Sequence, residues 1–521
     1  MNTSTIKSIN DLPRDIAILH PMLWALIQEN RLLEDHLKLL KKDIFGKKSE
    51  KQVDPDDTQL VLEGLLEQIT QTQPSKEETF VEVKAATRRK KHPGRNAIPE
   101  NITTIEHVID LLPEEKTCTT CSKDLTLFRK ETRTVIERVP ATYEKHVYIT
   151  NTYVCTKCKD TVFSPDAPLV NPFPRLLAGP KLLLFVILSK YQYHLPLYRI
   201  QRQIFHESAI WFTRATMAGW IEKVCVPLER IYQEMIDSLK MSSCIHADES
   251  LVKRSDHTSY MWVYVNGMQT IAIYDYKETR ASTAPMKFLE GVAPETRLMI
   301  DGYAAYNKPV KAYSLIAMAC MMHIRREFVE AAEVGSEKEY ALRIVRLIGQ
   351  LYRIERFATV KNLSDENRYE IREKFSSAIM DKIYKALTST PFVLLPQNRI
   401  TKAINYARNQ WPRAKEFLER GNLPIDNGVC ERVIRDLAIG RKNWLFVQSE
   451  DGGKRMAILY SIIATCKLNK INPEEYLGDV LMRIAMRPDT LPVTDLQPIE
   501  WYKARNNGNL PGKEPLYPSV N

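Results

Sequence analysis

Leucine and isoleucine recur at helical spacing near the start of the chain. Between residues 16 and 45 they stand three, four or seven positions apart, with charged residues between them, at Leu19, Leu23, Leu26, Leu33, Leu37, Leu40 and Ile44. This spacing predicts an amphipathic helix or a short coiled coil. Two roles stay open: the helix packs against its own chain, or it pairs with a second copy.

The rest of the chain changes pattern several times, and these changes divide it into parts. We predict an N-terminal leucine-rich helix (1–50), a basic linker (51–100), a β-rich module (101–172), a helical region (173–240), a mixed core (241–450) and closing helices with a proline-rich tail (451–521). The last long helix should begin near Asn472-Pro473-Glu474, a strong helix N-terminal signal.

The region 241–450 predicts an α/β core. Its order is strand, two more strands, helix, strand, strand and helix, with a helical insertion at about 330–420. This is the layout of a ribonuclease H-like core, in which neighbouring strands bring acidic side chains together. We therefore predict a multidomain α+β protein with such a core.

Composition is that of a globular protein. Of the 521 residues 44% are hydrophobic and 26% charged, which excludes a mostly disordered or collagen-like chain. Lys and Arg number 74 against 64 Asp and Glu, and the net charge of +10 favours a polyanionic partner. Residues 84–95 hold six basic residues and no acidic one, so this block either contacts phosphates or is simply solvated.

Neither a membrane span nor a secretion signal is evident in the sequence. The apolar run LLLFVIL at 182–188 is far shorter than the ~18–20 residues that a membrane helix needs. The first residues, MNTSTIKSINDLP, do not follow the charged-then-apolar order of a signal peptide. We expect a cytoplasmic protein without membrane contact.

Four of the nine cysteines form two CxxC pairs, Cys118 with Cys121 and Cys155 with Cys158. Each CxxC turn aims two thiolates at one point, and four thiolates close a tetrahedral structural zinc site. Four unrelated thiols, or a redox-active pair, are the alternatives. The scattered cysteines, which we expect in the core, are Cys225, Cys244, Cys320, Cys430 and Cys466.

Residues 197–224 predict a helix-turn-helix. A first helix at about 197–206 would be followed by a turn near Glu207-Ser208 and a second helix at about 213–224, capped by Thr213. In the major groove the second helix would bring Arg214 to base edges or phosphates. Any helical hairpin gives the same pattern, so a purely structural pair stays open.

Three acidic residues stand out by context. Asp248 lies within a strand-like segment, Asp301 ends another, and Glu431 begins a helical stretch after a loop. Three carboxylates around one cleft can bind two magnesium ions about 4 Å apart, which suits phosphoryl transfer. Each residue taken alone has another explanation. Asp301 is typical of an Asp-Gly turn, and Glu431 of a charge at a helix N-terminus that pairs with Arg435. Glu249, next to Asp248, is an alternative acidic residue on the same strand.

These residues lie in motifs that resemble transposases of the insertion sequence 66 family over nearly the whole chain. The motifs are LLEDHLKLLKKDIFGKKSEK (32–51), the two CxxC pairs, PLYRIQRQIF with TMAGWI (196–221), HADES (246–250), DGYAAYN (301–307), HIRREF (323–328), IDNGVCERVIRDLAIGRKNWLF (425–446) and SIIATCKLNKINPEEYLGDVLMRI (461–484). One departure concerns the helix-turn-helix, since the family's usual turn glycine is replaced by Glu207-Ser208-Ala209-Ile210.

The resemblance implies residue roles. Asp248, Asp301 and Glu431 fall on the family's catalytic triad, and His323, Arg325 and Arg326 on a motif that we expect to hold the scissile phosphate or its flanking strand. A core histidine with satisfied hydrogen bonds is the alternative for His323. The remaining residues expected to contact DNA are Arg88, Arg89, Lys90, Lys91, Arg95, Arg199, Arg214, Arg432, Arg435, Arg441 and Lys442.

The resemblance also implies an activity. A DNA transposase would bind the terminal inverted repeats of its element, free 3′-hydroxyls and join them to target DNA, using two magnesium or manganese ions and one structural zinc. Expected partners are double-stranded DNA, a second copy or higher oligomer, and two small accessory proteins, in a bacterial cytoplasm at the nucleoid. A DNA-binding regulator with a silenced nuclease core and a structure-specific nuclease are the alternatives.

Overall fold

The computed structural model describes residues 142–147, 153–154, 162–163, 173, 176–334, 337–506 and 508. The predicted N-terminal helix, the basic block with Arg88, Arg89, Lys90, Lys91 and Arg95, and the cysteines 118, 121, 155 and 158 lie outside these residues. Two short strands precede the main body, β1 (Tyr153–Val154) and β2 (Val162–Phe163), and they pair antiparallel.

A mixed sheet of five strands forms the centre of the fold. The strands are β3 (Cys244–Lys253), β4 (Thr258–Asn266), β5 (Ala272–Lys277), β6 (Arg297–Ile300) and β7 (Ile316–Ala319). Their order across the sheet is β5-β4-β3-β6-β7, with β3 antiparallel to β4 and parallel to β6. The predicted strand sequence and the α+β ribonuclease H-like layout are confirmed at this level.

Three helices precede the sheet, α1 (Pro180–Tyr191), α2 (Leu197–Ser208) and α3 (Arg214–Lys240). The predicted cap is confirmed, because Thr213 Oγ1 accepts a hydrogen bond from the Thr216 N–H at 3.1 Å. The predicted end of α3 near residue 224 is wrong. The helix continues through Pro227 because Val224, Leu228 and Ile231 are buried in the core, and that packing outweighs the lost backbone hydrogen bond.

Eleven more helices follow within the described residues. They are α4 (Thr283–Leu289), α5 (Asn307–Ala312), α6 (Met321–Val334), α7 (Lys338–Val360), α8 (Asp365–Ile371), α9 (Ser377–Thr388), α10 (Arg399–Ala414), α11 (Gly428–Trp444), α12 (Glu450–Leu468), α13 (Pro473–Met486) and α14 (Pro498–Arg505). Helices α7 to α10 form the predicted insertion, and Asn472 caps α13 as expected. None of the helices in this described part combines the length and apolar character that a bilayer crossing needs.

Two apolar cores hold these elements together. The first joins the sheet to α1–α3 and α11–α13, and the second joins α6 to the insertion helices. Helix α12 also covers the edge strand β5: Ser461 Oγ accepts from the Tyr274 N–H at 2.8 Å and Thr465 Oγ1 from the Ala272 N–H at 3.0 Å. These bonds satisfy backbone groups that an exposed edge would leave unpaired. The five scattered cysteines are buried, as predicted.

Candidate active site

Asp248 lies midway along β3, on the central strand of the sheet. Side chains alternate along a strand, so Asp248 shares its face with His246 and Ser250. Its Oδ1 accepts a hydrogen bond from the Glu249 N–H at 2.8 Å. Burial, and then the nearby charges of Glu249, Asp301 and Glu431, raise the pKa of Asp248 to about 7. The carboxylates from three separate elements therefore affect one another electrostatically.

Asp301 follows β6 directly and lies beside Asp248. Strand β6 pairs with β3 up to Met299 opposite His246 and ends at Ile300, so the register carries Asp301 to the level of Asp248. Its Oδ1 accepts from the Tyr303 N–H at 2.8 Å, and its carbonyl accepts from the Tyr406 hydroxyl. Asp301 thus forms an Asp-Gly turn that the register places at the level of Asp248.

Gly302 makes this turn possible. Its φ is +97°, a conformation that side chains disfavour. A Cβ there would also meet Gln410 Nε2 of α10 at 2.5 Å. The insertion helix α10 therefore packs directly against the turn that presents Asp301.

Glu431 lies in the first turn of α11, with 31% of its side chain exposed. Its carboxylate contacts two residues one turn apart on α6, His323 Nε2 at 3.6 Å and Arg326 Nη2 at 3.4 Å. Within the described residues, Glu431 forms ion pairs with His323 and Arg326 but not with Arg435. Helix α6 thus supplies the positive charge that faces Glu431.

His323 is not a core histidine with satisfied hydrogen bonds. Its Nδ1 is buried and finds no hydrogen-bond partner in the described part of the chain, while Nε2 faces Glu431. Burial and the adjacent Arg326 lower the pKa of His323, whereas Glu431 and Asp301 act in the opposite direction. Its neighbour Arg325 is partly buried.

Glu249, the rival to Asp248, already has partners of its own. Only 2% of its side chain is exposed, and Oε1 accepts from Arg280 Nη2 at 2.7 Å and Nε at 3.0 Å. Its Oε2 accepts from the Tyr306 hydroxyl at 3.0 Å. Burial nevertheless raises the pKa of Glu249, against the effect of the bonds with Arg280. Two partners occupy this carboxylate, which makes it a weaker candidate for metal binding.

Asn427 joins the elements that carry the acidic residues. Its Nδ2 donates to the Ala247 carbonyl at 2.9 Å and its Oδ1 lies 3.1 Å from His246 Nδ1, while its N–H lies 3.2 Å from Cys320 Sγ. The Asn427 carbonyl accepts from the Glu431 N–H at 3.4 Å. Asn427, Ala247, His246 and Cys320 are buried, and burial lowers the pKa of His246 to about 4. Neither residue was predicted from the sequence, although His246 lies in the motif HADES and Asn427 in the motif IDNG.

The donor set suits a hard divalent cation, because Asp248, Asp301 and Glu431 offer oxygen alone. Their mutual effect on the pKa of Asp248 supports a shared site. However, no group of three or more His, Cys, Asp or Glu side chains within the described ranges is close enough to hold an ion. Glu431 is turned toward Arg326 and His323 in this structure.

The other residues predicted to contact DNA fall into two groups. Helix α11 carries Arg441, whose Nη1 donates to Ser250 Oγ at 2.9 Å and to the Leu251 carbonyl at 2.6 Å. The exposed residues of α11 in this set are Arg432, Arg435 and Lys442. Arg199 and Arg214 are exposed on α2 and α3, elements distinct from those that carry the acidic residues.

Sequence comparisons give the family. Residues 175–455, more than half of the chain, match the family described as Transposase IS66 family. Residues 32–106 match Transposase C of IS166 homeodomain, and 461–498 match the IS66 C-terminal element. All three matches belong to transposases.

Two relatives match more than nine-tenths of the chain. The uncharacterized protein y4jD of Sinorhizobium fredii (strain NBRC 101917 / NGR234) is 28% identical over 94% of this chain and 97% of its own length. The uncharacterized protein y4hP of the same strain is 27% identical over 91% of this chain and 89% of its own. With the matched family and the mixed sheet, these findings establish that the chain belongs to the IS66 family of transposases, DDE enzymes that cleave and transfer DNA strands.

Proposed function

We propose that Asp248, Asp301 and Glu431 are the catalytic residues and that they hold two magnesium or manganese ions during DNA cleavage and joining. The observation that carries this proposal is the convergence of the three carboxylates from β3, the end of β6 and α11, with Asp301 and Glu431 both raising the pKa of Asp248. Functional sites are where such mutual perturbation concentrates.

The chain's own residues position the reaction. Bound divalent ions supply charge stabilisation to the attacking and leaving oxygens of an in-line transfer at phosphorus. Asp248 lies on β3 and Asp301 directly follows β6, whereas Glu431 lies on α11, which Asn427 joins to β3. Water would first attack phosphorus at the element's end and break its bond to the 3′-oxygen, which leaves as a 3′-hydroxyl. That hydroxyl would then attack a phosphorus of target DNA and displace the 3′-oxygen bonded to it. Holding the reacting groups in position contributes to both steps.

Arg326 and His323 are proposed to contact the scissile phosphate. Both face Glu431 from α6, with Arg326 Nη2 at 3.4 Å and His323 Nε2 at 3.6 Å. An arginine fork suits a phosphate as well as a carboxylate. When Glu431 turns to the aspartates, a phosphate would take its place beside Arg326 and His323. Arg325, from the same motif, would support the flanking strand.

Asn427→Ala is expected to slow strand cleavage by roughly 10- to 100-fold, because small misplacement of a catalytic group has effects of this size. End binding should stay close to wild type, since Asn427 is buried away from solvent. The check is single-turnover nicking beside a gel-shift titration. Gln448→Ala, at an exposed loop position, is the matched control. Nicking by Asn427→Ala at the wild-type rate would contradict a role for Asn427 in positioning Glu431.

We also propose that the remaining parts hold DNA and partners. Three sets of basic residues would neutralise phosphates of the element's ends and of target DNA. They are Arg199 and Arg214 on the helix pair α2–α3, the basic block at 88–95, and Arg432, Arg435, Arg441 and Lys442 on α11. The N-terminal helix would pair two copies, and two small accessory proteins would assist. The helix pair keeps its tight turn without glycine, with Ala209 at φ 57°. The proposed domains span residues 1–50, 51–100, 101–172, 173–240, 241–450 and 451–521.

A structural zinc at Cys118, Cys121, Cys155 and Cys158 belongs to the same proposal. The antiparallel pairing of β1 with β2 supports it, because the segment containing Cys155 and Cys158 joins these two strands. Metal analysis of gently purified protein should therefore find about one zinc per chain. Cys155→Ser should lose the ion, whereas Cys466→Ser, which changes a buried core cysteine, should keep it. Zinc absent from the wild-type protein would overturn the assignment.

A further inference from the structure

Arg280 is an exposed basic residue at the candidate active site that was not predicted from the sequence. It follows strand β5, which ends at Lys277, and 47% of its side chain is exposed. Its Nε and Nη2 donate to Oε1 of the buried Glu249 at 3.0 and 2.7 Å. Its Cζ lies 4.0 Å from the ring centre of Tyr303, whose hydroxyl donates to the Arg280 carbonyl at 3.1 Å. A carboxylate and an aromatic ring therefore fix the orientation of the guanidinium.

The two residues that hold Arg280 are bonded to the aspartates. The Glu249 N–H donates to Asp248 Oδ1 at 2.8 Å. The Tyr303 N–H donates to Asp301 Oδ1 at the same distance. Burial and then the charge of Glu249 raise the pKa of Asp248, and burial and the charge of Asp301 raise the pKa of Glu249. Arg280 is therefore separated from each aspartate by a single residue.

Arg280 reaches the site from the side of the sheet opposite α11. Side chains alternate along β3, so Glu249 and Asp248 point to opposite faces. Helix α11 packs on the Asp248 face and carries Glu431, which contacts Arg326. A DNA strand that crosses the two aspartates therefore has Arg326 on one side and Arg280 on the other.

The outer edge of the guanidinium is open to a ligand. Glu249 uses two of the five N–H groups of Arg280, and Nη1 makes no hydrogen bond to the described part of the chain. Three other acidic residues on this part of the sheet are ion-paired, Glu278 and Asp256 with Arg254, and Asp275 with Lys277. Two parallel N–H groups of an arginine suit a phosphate.

We propose that Arg280, held by Glu249 and Tyr303, binds a phosphate of the DNA strand beside the phosphate that reacts at the aspartates. This contact rests on the proposed function, since it requires DNA at Asp248 and Asp301. A guanidinium that is already oriented loses little freedom when it binds, so the contact is favourable even at an exposed position. The phosphate belongs to the element's end or to target DNA, which present the same group.

The first test measures binding of full-length protein in calcium to a duplex of the element's own end and to a target duplex. Single phosphates are replaced in turn by neutral methylphosphonates. One replacement should weaken binding by the wild type several-fold and leave Arg280→Gln unaffected, because the variant has already lost that contact. Arg280→Gln should also lower the slope of log affinity against log salt by about 0.9, the contribution of one phosphate. The duplex that shows the effect identifies the source of the phosphate.

The control is Arg483→Gln on α13. Arg483 is 42% exposed and, like Arg280, is paired with carboxylates, those of Asp479 and Asp495. This variant should keep the wild-type response to every methylphosphonate.

A second readout separates phosphate binding from support of Glu249. In magnesium, Arg280→Gln should slow nicking, or joining if the phosphate is in target DNA, roughly 10- to 100-fold, the range for one charge-assisted hydrogen bond. The double variant Glu249→Gln with Arg280→Gln leaves no unpaired charge and should stay as slow. Recovery in the double variant, or equal methylphosphonate effects in Arg280→Gln and wild type, would overturn the proposal. A wild-type methylphosphonate effect in calcium without any nicking in magnesium would instead contradict the proposed cleavage and leave the phosphate contact standing.

Discussion

Asp301→Asn is expected to abolish strand cleavage while the protein still folds and binds the element's ends. The change removes one negative charge and keeps the shape, and the Tyr303 N–H can still donate to the remaining carbonyl oxygen. Metal-ion stabilisation is worth several kcal/mol at about 1.4 kcal/mol per tenfold, so we expect a loss of about three orders of magnitude or more. Single-turnover nicking of a labelled end measures it.

Binding must be measured on the same preparation. End affinity of Asp301→Asn should stay within about twofold of wild type, because one carboxylate in the cleft contributes little to the many phosphate contacts. Asp381→Asn, an exposed residue on α9, removes the same charge elsewhere and should change neither quantity. If Asp301→Asn lost binding and cleavage together, its role would be structural.

Arg372→Met should destabilise the insertion severely. Arg372 is fully buried and donates to both Glu355 oxygens at 2.7 Å, and it also bonds to the carbonyls of Phe417, Arg420 and Leu423. Methionine fills similar space but leaves the buried Glu355 charge without its main partner. Removing one partner of such a buried ion pair lowers the free energy of unfolding by about 3–5 kcal/mol. Urea denaturation followed by circular dichroism measures the loss.

The double variant Glu355→Leu with Arg372→Met identifies the cause. It removes both charges, so it should recover part of the stability that Arg372→Met loses. Arg368→Ala is the matched control, because Arg368 is partly exposed and lies 3.4 Å from the same glutamate. Exposed pairs contribute about 1 kcal/mol or less, so this control should cost little. Equal losses for Arg368→Ala and Arg372→Met would contradict the assignment.

Local patterns carried much of the fold. Strand β3 was predicted from its apolar residues around Asp248, and the order of the strands indicated the mixed sheet. The N-caps Thr213 and Asn472 were predicted because capping depends on residues within one turn. These features need only neighbours in sequence, so a single sequence contains them.

Contacts between residues far apart in the chain could not be predicted from the sequence. Glu431 faces His323 and Arg326, over a hundred positions earlier in the chain, whereas the sequence offered a pairing with Arg435 on the same helix only as an alternative. The contact of Arg280 with Glu249 has no local signal, because the fold and not the spacing brings the two residues together. Likewise the second helix was predicted to end near residue 224, and burial of the residues around Pro227 explains why α3 continues.

Metal-dependent chemistry at the three carboxylates is the central feature of the proposed function. The most direct test incubates purified protein with a labelled duplex of the element's end and a target duplex, in magnesium or manganese, beside Asp248→Ala. We expect nicks at the end and joined products that need the metal and vanish in the variant. Nicks without joined products would support a structure-specific nuclease. Binding without cleavage, even with the neighbouring accessory proteins added, would contradict the account and indicate a DNA-binding regulator.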